Sequence, residues 1–292
     1  MVSAGRRVTL ITGAAHGLGW ALAQEAAGRG DHLVLADRDA ETLATRVTAL
    51  EAAMMAKARG SAAPAVGGVV SGTEPGAPVE RTVVAVPGDI TDPVHQTDLI
   101  AAAIARFGRL DRLIHNAGIT HRSPARLTRP EVIRQVMEVD YHAPVALTHL
   151  ALPHLRATRG SLVAVSSMAG WMPLPGRAGY SAAKAALTQY FEVLRLEIAR
   201  EGVHVLLVHP SFLATAIERH ALGADGAPAR HPRSTTGRIR TAEDEARRIL
   251  AALDARKPTV RPDLWPSVGA LLWRLWPGLY RRLIARRFAA EL

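Results

Sequence analysis

Tyr180 and Lys184 are the residues in this chain best suited to chemistry. They lie four apart in Gly179-Tyr180-Ser181-Ala182-Ala183-Lys184-Ala185-Ala186-Leu187, a stretch rich in helix formers. On a helix that spacing puts both side chains on one face. A free phenol has a pKa of about 10, too high for ready proton exchange at neutral pH. A fixed ammonium beside it favours the phenolate and lowers that value. The pair can then give or take a proton, as interconversion of a carbonyl and an alcohol requires. A tyrosine and a lysine four apart occur by chance on many helices, so the spacing gains meaning only from its surroundings.

Three other segments supply those surroundings. Thr12-Gly13-Ala14-Ala15-His16-Gly17-Leu18-Gly19 follows the apolar run Val8–Ile11 and precedes a helical stretch that begins at Trp20. Gly13 permits a tight turn, Gly17 lets backbone approach a pyrophosphate, and Gly19 lets the helix pack closely. The helix N-terminus then offers free N–H groups to an anion. Asp37 ends the apolar run Leu33–Ala36 and stands 18 residues after Gly19. That is near the ~20 residues expected for an acid that bonds the adenosine ribose. Its charge would repel a 2′-phosphate and favour NAD over NADP, while the adjacent Arg38 could pair with that phosphate. An ordinary acid capping the next helix is the alternative. Ser166 and Ser167 end a third apolar run, Leu162–Val165, with Ser167 13 residues before Tyr180. A hydroxyl there can be a turn former or a donor to a substrate oxygen.

The elements that must position these residues are short apolar strands alternating with helical stretches. The strands are expected at Val8–Ile11, Leu33–Ala36, Val83–Val86, Leu110–His115, Leu162–Val165 and Val203–Val208. Such alternation predicts an α/β fold, a Rossmann-type doubly wound parallel sheet with helices on both faces, in one domain over residues 1–261. The chain has 292 residues, 48% of them hydrophobic, enough for a sizeable core. Absence of cysteine excludes disulfides and cysteine catalysis, and it fits a reducing, cytoplasmic setting. With the first strand starting by Val8, no secretory signal is expected. The 12 histidines show no metal-binding spacing, so no metal is expected, and His16, His115 and His142 read as local hydrogen-bonders. The net charge of +10 admits nucleic acid or an anionic surface as partner. The arginines are scattered and no nucleic-acid motif accompanies them, so no nucleic-acid partner is expected.

Together these segments resemble the short-chain dehydrogenase/reductase family, over about Val8 to Pro258. The glycine pattern T-G-x-x-x-G-x-G resembles the compact branch of that family. The resemblance implies an NAD- or NADP-dependent oxidoreductase that transfers hydride between the nicotinamide and a substrate carbon. It makes Tyr180 the general acid/base and Lys184 the residue that lowers its pKa and holds the nicotinamide ribose. It assigns the substrate oxygen to Ser167 rather than Ser166. Thr12, Gly13, His16, Gly17, Leu18 and Gly19 would form the dinucleotide turn, with Asp37 and Arg38 at the adenosine. Asp89 and Ile90 would meet the adenine, and Asn116-Ala117-Gly118 would lie beneath the cofactor. Pro210 and Thr215 would approach the nicotinamide carboxamide. A homo-oligomer is also implied, and an apolar tail near the site would suit a small, apolar carbonyl or alcohol substrate. Three positions depart from the family. His115 replaces an asparagine and Ser211 a glycine. Asp140 replaces the asparagine whose backbone helps hold a relay water, and it adds a charge near Lys184. A non-catalytic dinucleotide-binding sensor or scaffold is therefore one rival reading, and a peripheral membrane reductase of lipid-like substrates is the other.

Two segments and the tail fall outside the motifs. Residues 59–81 are rich in Gly, Ala, Pro and Val and read as a mobile insertion. Residues 212–240 read as a loop region whose shape should set specificity. The tail, 262–292, carries Trp265, Trp273 and Trp276 and five arginines. Leu272, Trp276, Leu279, Leu283 and Ile284 recur at helical spacing, and Pro277 is expected to kink the segment. Arg274 and the prolines break it as a transmembrane span. It can lie in a membrane interface, pack over the substrate pocket, or meet another subunit.

Overall fold

The computed structural model describes residues 6–60, 82–213, 220–229, 239–262 and 264–289. Seven parallel strands form its centre: β1 (Val8–Thr12), β2 (His32–Asp37), β3 (Val83–Pro87), β4 (Arg112–His115), β5 (Ser161–Val165), β6 (His204–Val208) and β7 (Thr259–Val260). Their order is β3-β2-β1-β4-β5-β6-β7. The chain runs outward from β1 to β3, then returns to place β4 on the other side of β1. This reversal opens a crevice at the C-terminal strand ends, where ligands bind in open parallel sheets. All six expected strands form. β4 begins at Arg112 rather than Leu110, and β7, only two residues long, has no sequence signal of its own.

The helices are α1 (Gly17–Gly28), α2 (Ala40–Gly60), α3 (Pro93–Phe107), α4 (Pro130–Met137), α5 (Ala143–Thr158), α6 (Ala178–Glu197), α7 (Ala242–Asp254), α8 (Leu264–Leu275) and α9 (Pro277–Arg287). Period-two alternation along the strands divides the core into two layers. Leu33, Leu35, Val163, Val165, Leu206 and Val208 meet α1, α2 and α7 on one face. Val34, Ala36, Leu162, Ala164, Val205 and Leu207 meet α3, α5 and α6 on the other. Because both faces are covered, the strands read as continuous apolar runs. Local chemistry sets several helix ends. Asp92 caps α3 by accepting from Val94 N, Pro93 starts that helix, and Gly108 ends it at φ 72°. Thr241 caps α7, and Glu243, Asp244 and Glu245 complement its dipole.

At the N-terminal edge of the sheet, away from the crevice, buried Asp31 accepts from Thr9 Oγ1 at 2.7 Å and from Arg7 Nε at 3.0 Å. Arg112, also buried, lies 3.4 Å from Asp31 and pairs with Asp254. This network ties β1, β2, β4 and α7 at the end opposite the site.

Two sequence expectations change. Arg59 and Gly60 complete α2, so the insertion begins later than residue 59, and residues 61–81 lie outside the described residues. Pro277 does not kink one helix: α8 ends at Leu275, and Pro277 starts α9, where its missing N–H costs nothing. The described parts of 212–240 are pinned rather than free. Leu222 bridges His121 and Pro228, and Leu213 bridges Arg240.

Candidate active site

The glycine-rich turn is built from the backbone outward. Gly13 and Gly17 have φ of 67° and 49°, left-handed values that disfavour a side chain. At Gly19 a Cβ would lie 1.9 Å from the Gly13 carbonyl oxygen. Gly19 therefore lets α1 sit directly on the turn, and it stands behind the cavity wall rather than in it. His16 precedes α1 without capping it by its side chain, and α1 has no acid in its first turn. His16 instead reaches Asp39 at 2.8 Å. The N–H groups at the start of α1 thus face the crevice without a side-chain acceptor, as an anion site needs.

Asp37 braces this turn. Its Oδ2 accepts from Ala15 N at 2.9 Å and its Oδ1 from Asp39 N at 3.0 Å. The residue that caps α2 is Asp39, which accepts from Thr42 N at 3.1 Å. Bonds from Thr42 and then His16 pull the Asp39 carboxyl down to about 2. Asp37 is left at the cavity edge with Arg38 exposed beside it.

The turn after β4 locks onto the turn after β1. Asn116 Nδ2 donates to the carbonyl oxygens of Thr12 and Gly13, both at 3.0 Å. Thr12 Oγ1 accepts from Asn116 N and Ala117 N, both at 3.1 Å. Across the crevice Asp89 accepts from Thr91 N at 2.9 Å and Thr91 Oγ1 at 2.8 Å. The Thr91 bonds hold its carboxyl below the usual range against partial burial, with help from Arg38 and His95.

The residues expected to handle the proton meet where α6 passes β5 and the α4–α5 junction. Tyr180 is half-buried and Lys184 is buried, with Lys184 Nζ 5.7 Å from the Tyr180 ring centroid. Lys184 Nζ donates to Val165 O at 3.1 Å and lies 3.1 Å from Asp140 Oδ2. Asp140 is fully buried in a π turn, Glu138–His142, and its other oxygen accepts from Ile119 N at 2.8 Å. Burial disfavours the Lys184 ammonium, but Asp140 and Tyr180 outweigh it and hold its pKa above the usual lysine value. Burial pushes the Asp140 carboxyl up, and Lys184 pulls it back. Asp140 reaches the site through Lys184 and does not line the cavity. Gly118 faces the pair: a Cβ there would stand 3.3 Å from Asp140 Oδ2 and 3.4 Å from Lys184 Nζ.

The two serines separate by geometry. Ser166 is buried, and its hydroxyl bonds Lys184 O at 3.1 Å and Thr188 Oγ1 at 2.8 Å. Ser167 is half-buried and accepts only a weak bond, from Ala169 N at 3.2 Å, at the start of a 3-10 turn, Met168–Gly170. Its hydroxyl proton remains available to a bound oxygen.

A cavity of about 740 Å³ joins these parts, within the size range of ligand pockets. Its wall includes Thr12, Gly13, His16, Gly17, Leu18, Asp37, Arg38, Asp89, Ile90, Asn116, Ala117, Gly118, Ser167, Tyr180, Lys184 and Pro210. Gly19 and Asp140 support the wall from behind. Thr215 lies outside the described residues. Among the described residues no group of three or more His, Asp or Glu side chains could hold a metal ion. His115 bonds Thr148 Oγ1 at 2.8 Å, and His142 packs edge-on against Tyr141.

Sequence reasoning missed His121, which no spacing marks. It is fully buried, and its Nε2 accepts from Gly179 N at 2.8 Å. That bond requires neutral imidazole with the proton on Nδ1, where Ser123 Oγ stands at 3.2 Å. Burial, with Arg177 adding repulsion, pushes its pKa down to about 4. His121 thereby fixes the first turn of the helix that carries Tyr180. The apolar wall, Met168, Leu174 and Phe212, was also missed, because its residues come from turns that no motif marks.

The tail packs against that wall. Tyr280 and Phe288 are buried with Met168, Met172, Leu174 and Phe212, and Tyr180 packs against this cluster, as do Trp273 and Ile284. Tyr280 Oη donates to Pro173 O at 2.8 Å. The buried stripe is Tyr280-Ile284-Phe288, one residue per turn. Trp276, Leu279 and Leu283 of the expected stripe are instead exposed.

A Gly-rich strand–turn–helix at the reversal of a parallel sheet defines a dinucleotide-binding class of fold. The chain belongs within it to the short-chain dehydrogenase/reductase family: the profile described as short chain dehydrogenase matches residues 7–64 and 72–224. It is 35% identical over 286 residues to dehydrogenase/reductase SDR family member 7B of Bos taurus, covering 97% of this chain and 82% of that one. The Danio rerio protein of the same name is 32% identical over 288 residues, covering 96% and 85%. Among solved structures, a short-chain dehydrogenase from Streptomyces avermitilis superposes with a TM-score of 0.73 at 26% identity, covering 98% of each chain. A short chain dehydrogenase/reductase from Burkholderia phymatum in complex with NAD gives 0.75 at 23% identity, covering 96% of each.

Stability should depend on His121 with a definite sign. Its folded pKa of about 4 lies below the ordinary value of 6.5, so the unfolded chain takes up a proton that the fold refuses between those values. Its contribution is full above pH 6.5 and is lost as pH falls towards 4. His121→Gln keeps an acceptor for Gly179 N and cannot titrate. Its melting temperature, followed by calorimetry from pH 7 to pH 4.5, should fall less than that of the wild type. An equal fall would remove His121 from the acid response.

Proposed function

We propose that this chain is an NAD(P)-dependent oxidoreductase that interconverts an alcohol and a ketone or aldehyde, with Tyr180 as general acid/base. The carrying observation is the buried Lys184 ammonium set against Tyr180 in the cavity that Ser167 also lines. A nicotinamide dinucleotide, when bound, supplies or accepts the hydride. The residues present fit such a group: the α1 N-terminus is uncapped by side chain, and Gly13 and Gly19 leave no room for a Cβ. Tyr180 gives its proton to the substrate oxygen in reduction and takes it back in oxidation. Ser167 donates a hydrogen bond to the same oxygen and steers it towards Tyr180. Lys184 keeps a positive charge beside the phenol and favours its ionised form. Met168, Leu174 and Phe212 suit a substrate with an apolar body.

Asp140 tempers this charge. A carboxylate against Lys184 offsets part of the field that Tyr180 feels. Asp140→Asn should therefore move the pH midpoint of alcohol oxidation downward, because less positive charge is neutralised. An upward shift would mean that Lys184 loses its proton without this partner. Tyr180→Phe is the companion variant. It should lower turnover at least about 100-fold while leaving cofactor affinity within a few-fold. Tight cofactor binding with no turnover by the wild type on any ketone, aldehyde or alcohol would replace the enzyme by a sensor or scaffold.

For the cofactor we favour NAD, on the carboxylate of Asp37 at the end of β2. Asp37→Asn keeps the size and an acceptor for Ala15 N but removes the charge. The ratio of kcat/KM for NADPH over NADH should rise about tenfold, equivalent to ~1.4 kcal/mol. An unchanged ratio would leave Asp37 only its role in bracing the turn.

A contact between the tail and a membrane surface is favoured by one further observation. Leu264, Trp265, Leu271, Leu275, Trp276 and Leu279 are each at least half exposed, and more than half of the large exposed apolar side chains among the described residues lie between Leu264 and Leu283. Residues 264–289 hold five arginines and no acid. An apolar face fringed by cations suits an anionic bilayer surface. No helix among the described residues is long and apolar enough to cross a membrane. The full chain should co-sediment with phosphatidylserine-containing vesicles and less with phosphatidylcholine alone, and Trp265→Ser/Trp276→Ser should weaken both. Equal binding by that variant, or a dimer held through this face in sedimentation analysis, would overturn the membrane contact.

A further inference from the structure

A second cavity, about 450 Å³, lies under the α8–α9 hairpin. Its walls include Met168, Met172, Leu174, Trp265, Gly269 and Ile284, with no charged side chain. The one hydroxyl there, on Tyr280, is spent on Pro173 O, and burial keeps it neutral by raising its pKa to about 12. Apart from the Trp265 indole N–H, the cavity therefore offers a ligand apolar surface. Met168 and Leu174 also line the larger cavity, so the two share a wall. Met168 directly follows Ser167, which places that shared wall next to the proposed substrate oxygen. Three of the walls are unbranched or flexible enough to re-pack around a chain, two methionines and a glycine. Gly269 lets α8 approach closely: a Cβ there would stand 3.2 Å from Met172 Sδ. The outer wall, Trp265, is largely exposed on the hairpin, so the cavity lies between the protein surface and the Met168–Leu174 wall of the site, and a chain passing from one cavity to the other requires those side chains to re-pack.

We propose that this second cavity holds the alkyl chain of a long, single-chain substrate whose alcohol or ketone carbon lies at Tyr180. The inference rests on the oxidoreductase reading and adds the class of substrate to it. Polar or compact substrates would leave the cavity unfilled and gain nothing from it. A straight chain gains with each methylene buried, about 0.8 kcal/mol or fourfold.

The test uses the full chain and two variants, Gly269→Leu and Ile284→Trp, which narrow the second cavity without touching Tyr180, Ser167 or Lys184. Two readouts are taken: reduction of 2-alkanones from butan-2-one to tetradecan-2-one, and calorimetric binding of dodecan-2-ol to the protein without cofactor. For the wild type kcat/KM should climb with chain length by up to about fourfold per methylene and then level off. Both variants should lose at least tenfold on dodecan-2-one and stay within twofold on butan-2-one. Dodecan-2-ol binding should weaken in parallel. A flat chain-length series, or equal losses on short and long ketones, would overturn the subsite while leaving the oxidoreductase standing. If no ketone is reduced, the oxidoreductase reading fails and binding alone decides. Dodecan-2-ol bound by the wild type and lost in both variants would keep the chain site, and its failure to bind the wild type would overturn it.

Discussion

The fixed charge on Lys184 is the constraint around which the site is arranged. Moving an ammonium into a protein interior costs several kcal/mol unless partners restore what water supplied. Here the partners come from three separate elements. Val165 O is the last carbonyl of β5, Asp140 sits in the π turn between α4 and α5, and Tyr180 lies one turn back on α6 itself. Each can serve only if its element is where the fold puts it. Gly118 completes the arrangement by leaving out the side chain that would crowd the pair. Ser166 closes the other side by bonding the Lys184 carbonyl oxygen and Thr188, which secures α6 against β5. The lysine is thus a reason for the local packing as well as a candidate for the chemistry. Removing one partner of a buried pair leaves an uncompensated charge, which costs more than the pair itself contributes.

The dinucleotide side of the crevice is built on a different economy, of backbone rather than charge. Gly13, Gly19 and Asn116 form one unit, since a Cβ on either glycine would strike the Asn116 turn or its own carbonyl neighbours. Thr12 and Asn116 satisfy the backbone groups that the two strand ends leave open. The N–H groups at the start of α1 are spared from this bonding. A turn held at Thr12 O, Gly13 O, Ala14 N and Ala15 N presents those N–H groups in a fixed direction, and that is what an incoming pyrophosphate requires.

How much of this was legible in the sequence depended on whether the signal was local. The strands were read because burial on both faces makes each one an uninterrupted apolar run, as in Leu33–Ala36 and Leu162–Val165. β7 escaped because two residues cannot show a period. The glycine turn and the Tyr180–Lys184 pair were legible because their function depends on spacing along the chain. His121 was not, because its role depends on a bond to Gly179, 58 residues away. The preference for Ser167 over Ser166 rested on family spacing, and the structure adds a physical ground: Ser166 has no hydroxyl to spare. The tail stripe divides between two faces: Leu272 and Ile284 pack on the inner cluster, whereas Trp276, Leu279 and Leu283 are exposed. Leu272, Trp276 and Leu279 share a helical period only if the helix continues through Pro277. Once α9 restarts at that proline, Tyr280, Ile284 and Phe288 turn inward, and Trp276, Leu279 and Leu283 turn out.

That change of face gives the tail two separate surfaces, and the difference bears on how a substrate reaches Tyr180. The inner surface packs on Met168, Met172 and Leu174, residues that closely follow Ser167 in the chain, so the hairpin covers one side of the candidate site. Shielding strengthens the field of Lys184 at the phenol, because charges act more strongly where water is excluded. The outer surface keeps large apolar groups in contact with solvent, an arrangement that a monomer in water gains nothing by retaining. The hairpin buries few residues of its own: Pro266, Tyr280 and Phe288 are its only fully buried side chains among the described residues. The Lys184 pair takes its contacts from β5, α6, the π turn and the Gly118–Ile119 turn, and the hairpin meets the site through the packing of Tyr180 against its cluster. The candidate site is thus divided between two parts of the chain: the sheet edge and α6 hold Lys184 and Tyr180, and an apolar hairpin covers one side of them.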